Sequence, residues 1–225
     1  HRDLHSFPTR RSSDLDILTG VPAAPGVAAG RVFRVRPEQV VVDERPSDDP
    51  PLERRRLEDS LKDAHRQLDA LRAAFHSQKA ADRAAIFAAH QELLDDPDLL
   101  EIAWSAIDKG KRADFAWHCA YSTHADRLAS LRNGLLAARA SDLRDVGGRV
   151  LSLLTGRKSG LPEPPEASIL IAEEIAPSET ATIDRSRVLG LCTTLGGPTS
   201  HVAILARSMD IRSEEHTSEL QSRQV

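Results

Sequence analysis

Residues 188–207, Val188-Leu-Gly-Leu-Cys-Thr-Thr-Leu-Gly-Gly-Pro-Thr-Ser-His-Val-Ala-Ile-Leu-Ala-Arg207, read as a buried strand, a tight turn and an apolar-periodic helix in direct succession. Gly196, Gly197 and Pro198 make a turn with no side chains in the way, and Thr199 or Ser200 is the natural N-cap of the helix. His201 then falls in the first helical turn. Unpaired backbone N–H groups and the positive end of the helix dipole favour an anion there, each contact being worth about 0.3–1 kcal/mol. An unperturbed imidazole titrates near about 6.5, so around neutral pH much of it carries a free lone pair. A phosphoryl group on that ring suits the position, with the Thr199 and Ser200 hydroxyls available to its oxygens. Taken by itself, a histidine behind a Ser/Thr cap is more commonly an ordinary polar first-turn residue, and that reading stands beside the chemical one.

Upstream of this stretch, Ser168–Ala172 reads as a second buried strand, and Pro177-Ser-Glu-Thr180 opens a short helix between the two strands. A phosphate site at such a strand-to-helix junction is a familiar outcome in α/β sheets. At the other end, Ile17 to Val41 mixes Gly, Pro and β-branched residues, with Gly30–Val35 and Val40–Val42 as short strands around turns.

Between these strand regions the period changes. After Asp48-Asp-Pro-Pro51, the apolar positions Leu57, Leu61, Ala64, Leu68, Leu71 and Phe75 step by four and three, which is one face of a long amphipathic helix. A second helix carries Ile86, Phe87, His90, Leu93 and Leu94. Asp96 and Pro97 start a third, with Leu99, Leu100, Ile102, Ala103 and Ile107, ending at Gly110. Phe115, Cys119 and Leu128 mark a fourth. A last segment, read as capped by Ser141, turns Leu143, Val146, Val150 and Leu154 inward and ends at Gly156. Four or five helices with short connections are most economically an antiparallel bundle, so the expected fold class is α+β, a strand-containing domain interrupted by helices.

Composition narrows the function classes. The 225 residues are 40% hydrophobic but only 4% aromatic, which suits a helix-rich, aliphatic protein, and the net charge of −4 argues against nucleic acid as a partner. No run approaches the ~18 apolar residues of a membrane span. Cys119 and Cys192 lack CxxC spacing and read as reduced thiols, in keeping with a cytoplasmic location. His65, His76, His118 and His124 form no recognisable metal set, so no metal site is expected. The two ends, HSFPTRRSSDL at 5–15 and RSEEHTSELQS at 212–222, resemble translated sequencing adapters. Residues 1–15 and 212–225 are therefore expected to be disordered additions to a folded segment of about Asp16 to Ile211. No apolar run follows Arg10-Arg11, which excludes a twin-arginine signal.

GGPTSHVAILAR, residues 196–207, closely resembles the active-site motif of the phosphohistidine, or swivelling, domain of Enzyme I of the phosphoenolpyruvate-dependent sugar phosphotransferase system and of the phosphoenolpyruvate/pyruvate dikinases. In that motif the histidine after Thr-Ser is phosphorylated, which here is His201. Further segments are similar to Enzyme I: Gly20–Gly30 to its opening turn, Ala85–Asp96 to its second helix, Ala140–Val150 to its last bundle helix, and Ile171–Thr180 to the segment beside the active histidine. The inserted bundle separates Enzyme I from the dikinases. The resemblance implies a split phosphohistidine β/α domain over 16–46 and 161–211, with a carrier-binding bundle inserted over 47–160. It further implies a relay from phosphoenolpyruvate through His201 to the small histidine-containing phosphocarrier protein.

By the same resemblance, Gly196, Gly197, Thr199, Ser200 and Thr180 would support the phosphate, although the Thr180 hydroxyl equally suits a simple helix start. Arg207 lies six positions past His201 and suits a solvent or salt-bridge role at least as well. Glu92, Leu93, Leu94 and Leu99 are the expected carrier-facing residues, and His90 is read as packed or partner-facing. Magnesium and phosphoenolpyruvate are implied for a C-terminal barrel beyond Ile211, so no cofactor is expected within this stretch, which by itself should be monomeric and should not take phosphate from phosphoenolpyruvate. Met209-Asp210 departs from the family pattern. Two other functions stay open: a dikinase-like phosphohistidine domain, and a carrier-docking module without chemistry.

Overall fold

A computed structural model describes residues 20–24, 26–36, 42–77, 81–131, 134–157, 160–195, 200–208 and 212–216. The apolar step of the first helical stretch produces α1, Pro50–Ser77, and buries Leu57, Ala64, Leu68 and Phe75. Asp49 caps it, its carboxylate accepting the Leu52 N–H at 2.9 Å. Then follow α2 (Ala81–Leu94), α3 (Pro97–Asp108), α4 (Ala113–Ser130) and α5 (Gly134–Thr155). Asp96 caps α3 by accepting the N–H groups of Asp98 and Leu99, and Gly110 takes the left-handed conformation, φ +81°, just past its end.

Contacts between helices give their directions. Along α1 and α2, His65 meets Asp95, Arg72 meets Gln91, and Phe75 stacks on Phe87, so the two run antiparallel. By the same logic α5 is antiparallel to α1, through Arg56 with Leu154 and Gln67 with Arg149, and to α4, through Trp117 with Gly147 and Asp126 with Arg144. Buried Glu53 of α1 supplies the cap that α4 lacks, accepting the Ala113 N–H at 2.9 Å. Its partner Arg56 donates to the Leu154 carbonyl at the end of α5, so each charge sits where a helix dipole favours it.

One five-stranded sheet draws on both sides of the bundle. Its strands are β1 (Gly20–Ala24), β2 (Arg31–Arg34), β3 (Ser168–Ala172), β4 (Val188–Thr193) and β5 (Arg212–His216), in the order β1-β5-β4-β3-β2. The neighbours from β2 to β5 pair in parallel, while β1 is antiparallel to β5. Gly30 passes so close to the Ala167 carbonyl that a Cβ would overlap it, which lets Arg31 donate to that oxygen at 2.9 Å and begin the β2–β3 register. Two further helices, α6 (Pro177–Thr180) and α7 (His201–Ser208), follow β3 and β4.

Some expectations are corrected. Ser141 caps nothing: α5 begins at Gly134, because Leu136, Arg139 and Ala140 are strong helix formers and extend the helix across it. Gly20–Ala24 is a strand rather than part of a turn; its Pro22 is tolerated because β1 is an edge strand. Val42 packs against the bundle, while Val40 and Val41 lie outside the described residues. Residues 212–216, expected to be disordered, form β5, whose backbone fills the place between β1 and β4; ladder hydrogen bonds need no particular side chain. Residues 1–15 and 217–225 lie outside the described residues.

Adjacent glycines of α5 give a paired test of packing. A Cβ on Gly147 would overlap the buried Tyr121 ring, whereas one on Gly148 meets nothing within 4 Å. Gly147→Ala is expected to cost about 1–3 kcal/mol by overpacking, and Gly148→Ala to stabilise by about 1 kcal/mol through helix propensity. Urea midpoints at constant slope would read both, and equal shifts would contradict this packing. Asp96→Ala should cost roughly 0.5–2 kcal/mol in the same assay through loss of the α3 cap.

Candidate functional site

Strands β3 and β4 both lead from their carboxyl ends into helices, which is where parallel sheets gather ligands. The two exits are held together. Thr194 N–H donates to the Ala172 and Glu173 carbonyls, and Leu195 N–H to Glu173 at 2.9 Å. The helices at these exits, α6 and α7, pack on each other.

His201 is the first residue of α7. Ser200 caps this helix, its hydroxyl accepting the Ala203 N–H at 3.1 Å and its carbonyl accepting the Ile204 N–H at 3.0 Å. Of the two caps the sequence allows, the structure uses Ser200. Gly196, Gly197, Pro198 and Thr199 lie outside the described residues, as does the His201 side chain. Thr180 ends α6 and is fully buried, its hydroxyl donating to the Ala176 carbonyl at 3.0 Å. The hydroxyl bonds back to the N-cap residue of its own short helix, and as a hydroxyl oxygen it can also accept. Arg207 donates to the Ala23 carbonyl at 3.0 Å and so ties α7 to β1.

Two cores meet at α7. Leu205 belongs to the bundle core, whereas Ala206 belongs to the sheet core with Leu170, Ile175 and Leu191. Polar links run beside it from α5 to the segment around α6. Asp145 Oδ2 accepts the Ser178 N–H at 3.0 Å, its Oδ1 accepts the Ser178 hydroxyl at 2.6 Å, and Ser141 donates to Glu174. Burial pushes the Glu179 carboxyl above the usual carboxylate range, against an opposing hydrogen bond from the Ala176 N–H. Desolvation pulls Arg149 below its ordinary value. None of these α5 residues was singled out as functional from the sequence. The available signal was the four-residue spacing of Ser141, Asp145 and Arg149, which puts them on one helical face.

The expected carrier-facing residues divide by burial. Leu94 and Leu99 are bundle core and are corrected on that ground: their periodicity faces the bundle's own interior. Glu92 is exposed and Leu93 half-buried, beside exposed Asp95 and Asp98. An open groove of about 640 Å³ continues from Asp98 between α3 and α4, past Ile102, Phe115 and Arg127. His90 is fully buried, edge-on to Phe87, with Nε2 3.4 Å from Asp142 and Nδ1 3.9 Å from Asp145, so it packs rather than facing a partner. Burial raises the Cys119 thiol above its ordinary value. Among the described residues no three His, Cys, Asp or Glu side chains gather as a metal would need, and no helix is long and apolar enough to cross a membrane.

Comparison with known proteins matches this geometry. Residues 19–139 match the family described as PEP-utilising enzyme, N-terminal, and residues 164–212 match PEP-utilising enzyme, mobile domain, PEP being phosphoenolpyruvate. The chain is 42% identical over 195 residues to the multiphosphoryl transfer protein of Rhodobacter capsulatus, covering 86% of this chain and 24% of that protein. It is 34% identical over 196 residues to the phosphoenolpyruvate-protein phosphotransferase of Geobacillus stearothermophilus, covering 86% of this chain and 34% of that protein. It thus spans about a quarter to a third of the length of these curated relatives. A solution structure of Enzyme I (nEIt) superimposes with TM-score 0.64 at 31% identity, covering 92% of this chain and 85% of that one. The N-terminal domain of Enzyme 1 - Nitrogen gives 0.60 at 29% identity, covering 88% and 83%. Motif, split sheet and inserted bundle converge on one assignment: the chain belongs to the phosphoenolpyruvate-utilising enzyme family, as an N-terminal Enzyme I domain homologous to multiphosphoryl transfer proteins and phosphoenolpyruvate-protein phosphotransferases.

Proposed function

We propose that His201 is the phosphoryl-carrying residue of a relay between phosphoenolpyruvate and a histidine-containing phosphocarrier protein, and that this chain performs the exchange with the carrier. The observation that carries the reading is the position of His201 at the first turn of α7, behind the Ser200 cap, within a segment matching the family's mobile domain. The positive end of the α7 dipole favours the charge of a phosphorylated imidazole.

In the exchange, a lone pair of the His201 ring attacks the phosphorus held on the carrier's histidine. The new P–N bond forms as the old one breaks, and the released carrier imidazole takes back its electron pair. Such loose transfers gain chiefly from positioning and charge stabilisation. In this reading Thr199, Ser200 and the Gly196–Gly197 turn hold the phosphoryl oxygens, and Thr180 supports them from α6. The carrier docks beside exposed Glu92, Asp95 and Asp98, whose carboxylates steer a basic partner.

The test is phosphoryl transfer from ³²P-labelled phosphorylated carrier to this chain. Label is expected on the parent and absent from His201→Ala. Ser200→Ala is expected to keep some label while losing about 1 kcal/mol of stability, a fall of roughly 2–4 °C in melting temperature. A parent that binds the carrier yet stays unlabelled would make this chain a docking module; label surviving in His201→Ala would move the chemistry to another residue.

A further inference from the structure

Ser141, Asp145 and Arg149 form a stripe along α5, and Asp145 is its centre. The Asp145 side chain is only 5% exposed, and its two oxygens are both engaged by Ser178, one through the backbone N–H and the other through the hydroxyl. On its bundle side stands His90 of α2, Nδ1 at 3.9 Å, with Asp142 flanking the same ring. A single carboxylate on α5 therefore lies against both α2 and α6. Ser178 is the second residue of α6, and α6 packs on α7, whose first residue is His201.

Other links from the bundle to this region differ in kind: Ala181 packs on the bundle core, and Arg149 and Glu179 attract one another as charges. Leu205 contributes apolar burial, which is non-directional and tolerates rotation. The Ser141–Glu174 hydrogen bond is exposed to solvent. Asp145 makes the buried, two-pronged link, and paired hydrogen bonds to one residue set direction as well as distance.

We infer that Asp145 is a positioning residue: through Ser178 it fixes α6, and through α6 the His201-bearing helix α7, against the bundle that presents the carrier. The inference rests on the relay reading, but the fixing itself has a readout that needs no phosphate. Asp145 commits both its oxygens to Ser178. Its effect is on where His201 stands, and a misplacement of about 1 Å at a reacting centre can cost on the order of a hundredfold in rate.

The experiment compares Asp145→Ala, Asp145→Asn and Ser178→Ala in the full chain, using labelled phosphorylated carrier as donor and amide hydrogen exchange as a second measurement. Asp145→Ala is expected to lower the transfer rate at saturating carrier by roughly ten- to a hundredfold, with KM and the Kd for carrier within twofold of the parent. Asp145→Asn, which keeps one acceptor, should recover most of the rate, and Ser178→Ala, which keeps the N–H, should fall between. Exchange should quicken in residues 174–182 and 201–208 while α1, α3 and α4 keep their protection. An unchanged rate in Asp145→Ala, or a loss that tracks exchange throughout the bundle and that Asn does not rescue, overturns the inference. If the parent itself takes no label, the relay reading fails. Exchange then decides alone: quickening confined to 174–182 and 201–208 supports the fixing role, and unchanged exchange there overturns it.

Discussion

The parallel pairing of Arg31–Arg34 with Ser168–Ile171 is the constraint on which the architecture depends, because the whole bundle lies between its two strands. Parallel neighbours always require a crossover, ordinarily one helix. Here the crossover is five helices with a core of their own. Loop-closure entropy grows only slowly with length, and a self-supporting insertion removes most of the freedom a loose loop of that length would hold. The closure point is narrow: Gly30 and the Ala167 carbonyl approach where no side chain fits, and the register starts from the hydrogen bond between Arg31 and that oxygen.

Such a crossover leaves the sheet and the bundle as neighbours whose relation has to be set by something else. Helix α7 is the shared element, with Leu205 in one core and Ala206 in the other. A fully buried leucine contributes about 1.5–3 kcal/mol, enough to hold the bodies in contact. That energy depends weakly on orientation. Directional bonds at Asp145 and Arg207 supply what apolar burial lacks, one tying α6 to the bundle and the other tying α7 to β1. Both converge on the helix that begins with His201.

Much of this was legible in the sequence because it rests on local chemistry. The step of Leu57, Ala64 and Leu68, the Asp96–Pro97 start and the apolar runs of β3 and β4 each specify an element without reference to the rest of the chain. The misreadings arose where tertiary context decides. Ser141 has a capping side chain but sits among helix formers, and its partner Glu174 comes from far along the chain. Leu94 and Leu99 show how periodicity identifies an apolar face without saying what covers it; in both cases the cover is the bundle itself. Pro22 disguised β1, since only the sheet order reveals an edge where proline costs little. Residues 212–216 carry no apolar alternation, yet they pair on both sides because their backbone groups meet open strands.

The candidate site follows the same division between local and distant causes. A glycine pair, a serine cap and a histidine in the first helical turn lie within six residues, so their chemistry could be read before any fold was known. The position of that histidine relative to a docked partner is not local. In the proposed relay it is set by Asp145 of α5, 33 residues before Ser178, which it reaches across the boundary between the two cores. In that relay the motif supplies the nucleophile that holds the phosphoryl group. Transfer in that relay additionally requires a direction of approach, for which the contact of α5 with α6 is the proposed source.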